Sequence, residues 1–229
     1  MSLDDPGWEP LLEASRAVDL VIGAVLRGDD FRYYNAVLYL SGGEVRHVHR
    51  KVYLPTYGMF DEQRYFAPGD RVRAFSAGQF STGLLVCEDM WHMSSTYLLF
   101  VQGVHLLICA SSSPGRGVLA TAGDDAPGTA ASWGDLCRTV AEFNVCYVAY
   151  CNRVGFEDGI HFWGRSAILA PNGQVVAQGG GEEELVFGDI DLREVDRQRL
   201  ATPLLRDEKV EFTLRELERI TRERTDGPY

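Results

Sequence analysis

FSTGLLVCEDMWHMSSTYLLFVQGVHLLICA (80–110) decides the architecture. Residues 80–86 form an apolar run of strand length that stops abruptly at Cys87, where Glu88-Asp89-Met90-Trp91-His92 follow. Residues 94–102 read as a helix, and 104–110 (VHLLICA) as a second buried strand. Upstream, 20–26 (LVIGAVL) is a buried strand closed by Gly28-Asp29-Asp30, preceded by a short helix over 10–18. Residues 35–40 and 45–54 are hairpin partners across Ser41-Gly42-Gly43. Between 55 and 79, dense Pro, Gly and charge indicate a long loop, and long loops inside compact domains are more often functional than not.

Downstream, 111–131 is rich in Gly, Ser, Ala and Pro and reads as a flexible loop. Trp133, Leu136, Val140 and Phe143 then fall at helical spacing up to Asn144. Strands are expected at 145–150, 166–170, 174–178 and 185–190, with Pro171-Asn172-Gly173 turning the middle pair. Glu182-Glu183-Glu184 reads as a solvated strand entry. Beyond Asp191 a charged helical tail (192–229) carries Leu214, Leu217 and Ile220 as its apolar stripe. With no repeat and no dividing linker, 1–229 reads as one domain of mixed α/β layers.

Composition bounds the function. The 229 residues are 45% hydrophobic and 24% charged, which suits a soluble globular domain. A formal charge of −11 argues against nucleic acid or an anionic membrane as partner, since either calls for a basic face. The N-terminus has no signal-peptide pattern and no run reaches the ~18 apolar residues of a membrane span, so a cytoplasmic location is expected. Five cysteines at separations without a CxxC pair give no zinc spacing, and no metal or cofactor is expected. Cys109, Cys137, Cys146 and Cys151 read as buried thiols of a reducing compartment.

Cys87 differs from these, because it sits where an apolar strand ends in polar residues, at the sheet's edge near solvent. A thiol there needs a cation or base to become thiolate at neutral pH. Lys51 is the candidate cation. Alone it reads as a solvated edge-strand lysine, but the turn LPTYG that follows brings Tyr57 and Glu62 back towards the same sheet end. In such a site Lys51 can stabilise both a thiolate and the oxyanion formed after attack on an amide.

HRKVYLPTYGMFDEQRYFAPG (49–69) and GLLVCEDMWH (83–92) resemble the lysine and cysteine motifs of the nitrilase superfamily of carbon–nitrogen hydrolases. YCNRVGFEDGIHFWGRSAILAPNGQVV (150–176) and EEELVFGDIDL (182–192) are similar to its later strands. The resemblance spans about residues 18 to 206, and it implies a four-layer α-β-β-α sandwich whose copies associate into homo-oligomers. It implies a small-molecule amide or nitrile substrate, attacked by Cys87 to give a thioester-type intermediate. Lys51 and the backbone N–H of Glu88 match the groups that hold the oxyanion. Glu62, eleven positions after the lysine, matches a glutamate that positions lysine and substrate. Tyr57, Trp91 and Asn152 are the candidate substrate-binding residues.

One element of the pattern has no match. The family's general base is a glutamate in a Pro-Glu motif behind an N-terminal strand, helix and second strand. Glu9 precedes a proline rather than following one, and Glu13 lies in a helix, so the chain reads as starting just after that glutamate. This N-terminal truncation predicts little hydrolase activity for the sequence as written. Three functions follow: a stand-alone amide hydrolase, a glutaminase releasing ammonia for NAD synthesis, or a non-catalytic homologue acting through assembly. A Cys–His mechanism through His92 or His161 is the rival chemistry. His47 and His49 alternate on one strand face like half a metal site, and read as a solvated face.

Overall fold

A computed structural model describes residues 1–115 and 128–226. Two sheets stack face to face. The first has strands β1 (Leu20–Arg27), β2 (Tyr33–Ser41) and β3 (Glu44–Arg50), all antiparallel in the order β1-β2-β3. Ser41 pairs with Glu44 across Gly42 and Gly43, whose φ values of +64° and +85° suit the two-residue turn that matches strand twist.

The second sheet has six strands in the order β11-β10-β7-β6-β5-β4. They are β4 (Ala74–Ala77), β5 (Phe80–Val86), β6 (Leu106–Ser111), β7 (Tyr147–Asn152), β10 (Ala167–Leu169) and β11 (Val175–Gln178). Strands β5, β6 and β7 run parallel, while β4, β10 and β11 are antiparallel to their neighbours. A small hairpin, β8 (Val154–Glu157) and β9 (Ile160–Trp163), stands apart.

Strand alternation explains the layers. On β2, Val37 and Tyr39 meet Leu84 and Val86 of β5 and Ile108 of β6 between the sheets. The intervening Ala36, Leu38 and Leu40 face outward onto Trp8, Leu11 and Leu12, around the short helix α1 (Glu9–Ala14). On the far side Leu85, Leu107 and Cys109 pack under Leu99 of α2 (Met93–Val101) and under Trp133, Cys137 and Val140 of α3 (Gly128–Asn144). The result is the α-β-β-α sandwich. Helices α4 (Leu192–Ala201), α5 (Leu204–Asp207) and α6 (Val210–Asp226) complete the described chain. Val195 of α4 is fully buried on Tyr147 and Ala170. No helix of the described residues is long and apolar enough to cross a membrane.

Several local expectations are corrected. The loop 55–79 contains strand β4, and the hairpin β8–β9 lies where no strands were read. Residues 185–190 form no strand; Leu185 and Phe187 are 82% and 79% exposed, while Ile190 packs against the Tyr147 and Val195 cluster. Strand β3 ends at Arg50, which puts Lys51 just beyond its last residue. Of the expected loop 111–131, residues 116–127 lie outside the described residues, and α3 already begins at Gly128.

Candidate active site

Cys87 follows the last residue of β5 and opens a five-residue 3-10 helix, Cys87–Trp91. Its φ is +44°, a conformation unfavourable for a residue with a Cβ and typical of a sharp strand-to-helix elbow. The elbow lifts the sulfur off the strand end and presents the first-turn N–H groups, Glu88 among them, without intrahelical acceptors. Val86 pairs with Ala110 of β6, so the next residue of that strand, Ser111, stands beside the elbow.

Lys51 is 2% exposed despite its charge. Its Nζ donates to both carboxylate oxygens of Glu62, at 2.7 and 2.8 Å. The main chain fixes it as well: Lys51 N–H donates to Asn35 O, and Gly69 N–H donates to Lys51 O. Glu62 opens the single turn Glu62–Arg64 within the 55–79 stretch, so the long loop serves to return this carboxylate to the end of β3.

The electrostatics of the thiol join these groups. Burial raises the Cys87 thiol above its ordinary value; the Lys51 ammonium and the Ser111 hydroxyl pull it back, and the Glu88 and Glu62 carboxylates push it up. Cys87, Lys51, Glu62 and Glu88 therefore share one electrostatic neighbourhood. Glu88 accepts a hydrogen bond from the Tyr57 hydroxyl at 2.8 Å, and its side chain is 13% exposed. Tyr57 and Trp91 are exposed at the rim, with Trp91 set edge-on to Trp133 at 5.3 Å.

Asn152 is buried and both polar atoms of its amide are hydrogen-bonded: Oδ1 accepts from Ser113 N–H and Nδ2 donates to Gly164 O. It holds two loops in place. His92 stacks on Tyr53 and His161 on Phe156; neither histidine is among the groups that shift Cys87 most. His47 and His49 do not form a solvated face. His47 stacks on Phe75, and His49 is 2% exposed, with Nε2 donating to Asp89. Their strand face points towards the second sheet, which buries it. Cys151 is exposed, unlike Cys109, Cys137 and Cys146, because it lies on the face of β7 opposite the buried Tyr150 and Asn152.

Two neighbours of the site, Ser111 and Asp89, escaped the sequence reading, and a third, His49, reads there only as part of a solvated strand face. Ser111 was findable from strand register, as the end residue of the strand beside β5. Asp89 and His49 carried only the weak signal of polar residues in a strand and in an elbow. A cavity of about 710 Å³ lies along β3, lined by His47, His49, Arg27, Arg50, Arg71 and Arg73. A second, of about 260 Å³, lies under α3 against Trp133, Tyr150 and Trp163.

Residues 12–200 match the family described as carbon-nitrogen hydrolase. Glutamine-dependent NAD(+) synthetase of Thermotoga maritima is 36% identical over 176 residues, 74% of this chain but 28% of the relative. Omega-amidase NIT2 of Mus musculus is 27% identical over 203 residues, 86% of this chain and 70% of the relative. A solved carbon-nitrogen hydrolase from Helicobacter pylori superposes with a TM-score of 0.76 at 25% identity, covering 91% of this chain and 78% of that one. The chain thus spans under a third of the NAD synthetase and about seven tenths of the omega-amidase.

Proposed function

Because the chain belongs to the carbon-nitrogen hydrolase family, we propose that it cleaves a small non-peptide amide or nitrile through a covalent intermediate on Cys87. In the amide case the sulfur bonds to the carbonyl carbon while the carbonyl π pair moves onto oxygen. Lys51 Nζ and the Glu88 backbone N–H hold that oxyanion. Collapse expels the nitrogen as ammonia, carrying the proton that left the thiol, and leaves a thioester. Water then releases the acid and restores the thiol.

The observation that carries this reading is the buried Lys51 ammonium, clamped by both oxygens of Glu62 and acting on the Cys87 sulfur. A cation fixed in a site of low polarity needs no reorganisation when negative charge develops, and one such donor contributes about 10²–10³-fold in rate. Glu62 holds the Lys51 side chain in place. Proton removal from the thiol is the weak step. The carboxylates bearing most on Cys87 are Glu88, held by Tyr57, and Glu62, held by Lys51. With neither of these carboxylates free among the described residues, turnover is expected to lack much of the ~10²–10⁴-fold that a free general base supplies. Added formate or acetate should restore part of it.

Ammonia release from a panel of simple amides and glutamine, with Cys87→Ala as control, tests the reading. Release that survives Cys87→Ala sinks it. Loss with His92→Ala or His161→Ala while Lys51→Ala is spared replaces it with a Cys–His mechanism.

A second reading, glutamine hydrolysis feeding ammonia to a synthetase, is favoured by the Thermotoga relative and by the Glu88 carboxylate at the site. An acidic side chain there attracts a substrate bearing an ammonium group and gives a neutral amide nothing. Glu88→Gln should then lower kcat/KM for glutamine more than for propionamide; an equal loss on both removes the support.

A further inference from the structure

Asp89 is 0% exposed, and both of its carboxylate oxygens are engaged. Oδ1 accepts the backbone N–H groups of Val52 and Tyr53, each at 2.9 Å. Oδ2 accepts the backbone N–H of Val86 at 3.1 Å and His49 Nε2 at 2.8 Å. These partners have a pattern. Val52 and Tyr53 are the two residues after Lys51, Val86 is the residue before Cys87, and His49 lies two before Lys51, near the end of β3. Lys51 and Cys87 belong to different sheets, and β3 makes only a limited contact with β5. No main-chain ladder fixes their separation.

We propose that Asp89 is a positioning residue: its carboxylate, braced by His49, clamps the segment that carries Lys51 to the elbow that carries Cys87, and so sets the distance between ammonium and sulfur. The proposal rests on the reading of Cys87 as nucleophile and Lys51 as its cation. A buried carboxylate with four donors is strongly committed. It is also an arrangement no other side chain reproduces, because an amide in its place turns one acceptor into a donor facing donors. A carboxylate serving stability alone has no need to divide its bonds between the two reacting segments.

Asp89→Asn keeps the shape and opens one half of the clamp. A misplacement near 1 Å at a reacting centre lowers rate on the order of 10²-fold, so kcat is expected to fall by about that factor with KM nearly unchanged. The decisive readout is the pH profile of Cys87 alkylation by iodoacetamide, followed on the Cys87 peptide by mass spectrometry so that exposed Cys151 does not contribute. The charges around the thiol are Lys51, Glu62 and Glu88, with the Ser111 hydroxyl. Removing a negative charge at Asp89 by itself moves the thiol midpoint down. Losing the alignment of Lys51 moves it up. The clamp predicts an upward shift in Asp89→Asn; a downward or absent shift overturns it.

His49 gives a second route should Asp89→Asn fold poorly. His49→Gln places an amide donor near the lost Nε2 and should retain most of the parental profile, whereas His49→Ala should not. Equal profiles for His49→Ala and the parent overturn the brace. As a stability control, Val195→Ala removes buried packing on α4 and should lower the melting temperature without moving the alkylation midpoint. If Lys51→Ala and Cys87→Ala also leave turnover intact, the underlying reading fails; if they abolish it while Asp89→Asn and His49→Ala do not, only the clamp fails.

Discussion

Replacing Lys51 by methionine keeps the length of the side chain and deletes its charge, and the structure sets the size of three consequences. The first is stability. Breaking a buried ion pair by removing one partner costs about 3–5 kcal/mol. Here Lys51 is 2% exposed at its side chain but Glu62 is 19% exposed, so the orphaned carboxylate regains some water and the low end, about 3 kcal/mol, applies. For a domain of this size that corresponds to a fall in Tm of roughly 6–12 °C. The second is rate: without its charged oxyanion donor the site should lose about 10²–10³-fold in kcat/KM. The third is the thiol, which loses the cation that pulls it down and is left with burial and two carboxylates that push it up. The alkylation midpoint of Cys87 should therefore rise. Calorimetry, ammonia release at a temperature where the variant is folded, and alkylation across pH measure the three. A variant that melts within a degree of the parent, keeps more than a tenth of its kcat/KM, or shows an unmoved midpoint would refute the placement of Lys51 beside Cys87.

Two further outcomes follow from packing and burial. Gly69→Ala should displace the end of β3, because an added Cβ would lie 2.1 Å from Arg50 O while Gly69 N–H must still reach Lys51 O. A loss of about 1–3 kcal/mol is expected together with reduced turnover, and thermal melts with parallel assays check both. Burial pushes the Cys137 and Cys146 thiols up to about 12 from the ordinary 9.0. A raised folded-state value means that stability is intact below the unfolded-state value and is lost as pH climbs from about 9 towards 12. Denaturant unfolding at pH 8, 9.5 and 10.5 should show that decline, and Cys137→Ala with Cys146→Ala should make it shallower, leaving the share of Cys109, whose thiol burial also raises.

Most of the sandwich was legible because its strands are apolar and its turns are marked. The runs 80–86 and 104–110 are buried or half-buried throughout, since a strand covered on both faces has no need to alternate; the run 20–26, read as buried, is instead the edge strand β1, where Gly23 and Val25 are exposed. Strand β4 was hidden by its surroundings: Ala74–Ala77 is a four-residue edge strand in a stretch dominated by Pro, Gly and charge. The hairpin β8–β9 did carry a signal, Asp158-Gly159 between two apolar segments, with both residues at positive φ. Residues 185–190 show the opposite failure, a largely apolar run that no neighbouring strand pairs among the described residues. At the site, Cys87 and Lys51 could be named from their places near strand ends, and Glu62 from the family resemblance. Their supports, Asp89, His49 and Ser111, depend on which strand ends lie side by side, and that register is a tertiary fact.

The account stands on Cys87 being acylated with the help of Lys51. Rapid-quench mass spectrometry after mixing with a chromogenic or fluorinated amide measures this directly. The account predicts an acyl mass on the peptide containing Cys87, absent in Cys87→Ala, strongly reduced in Lys51→Met, and not found on Cys151. An adduct on another residue, or equal acylation of Cys87 with and without the lysine, would contradict it.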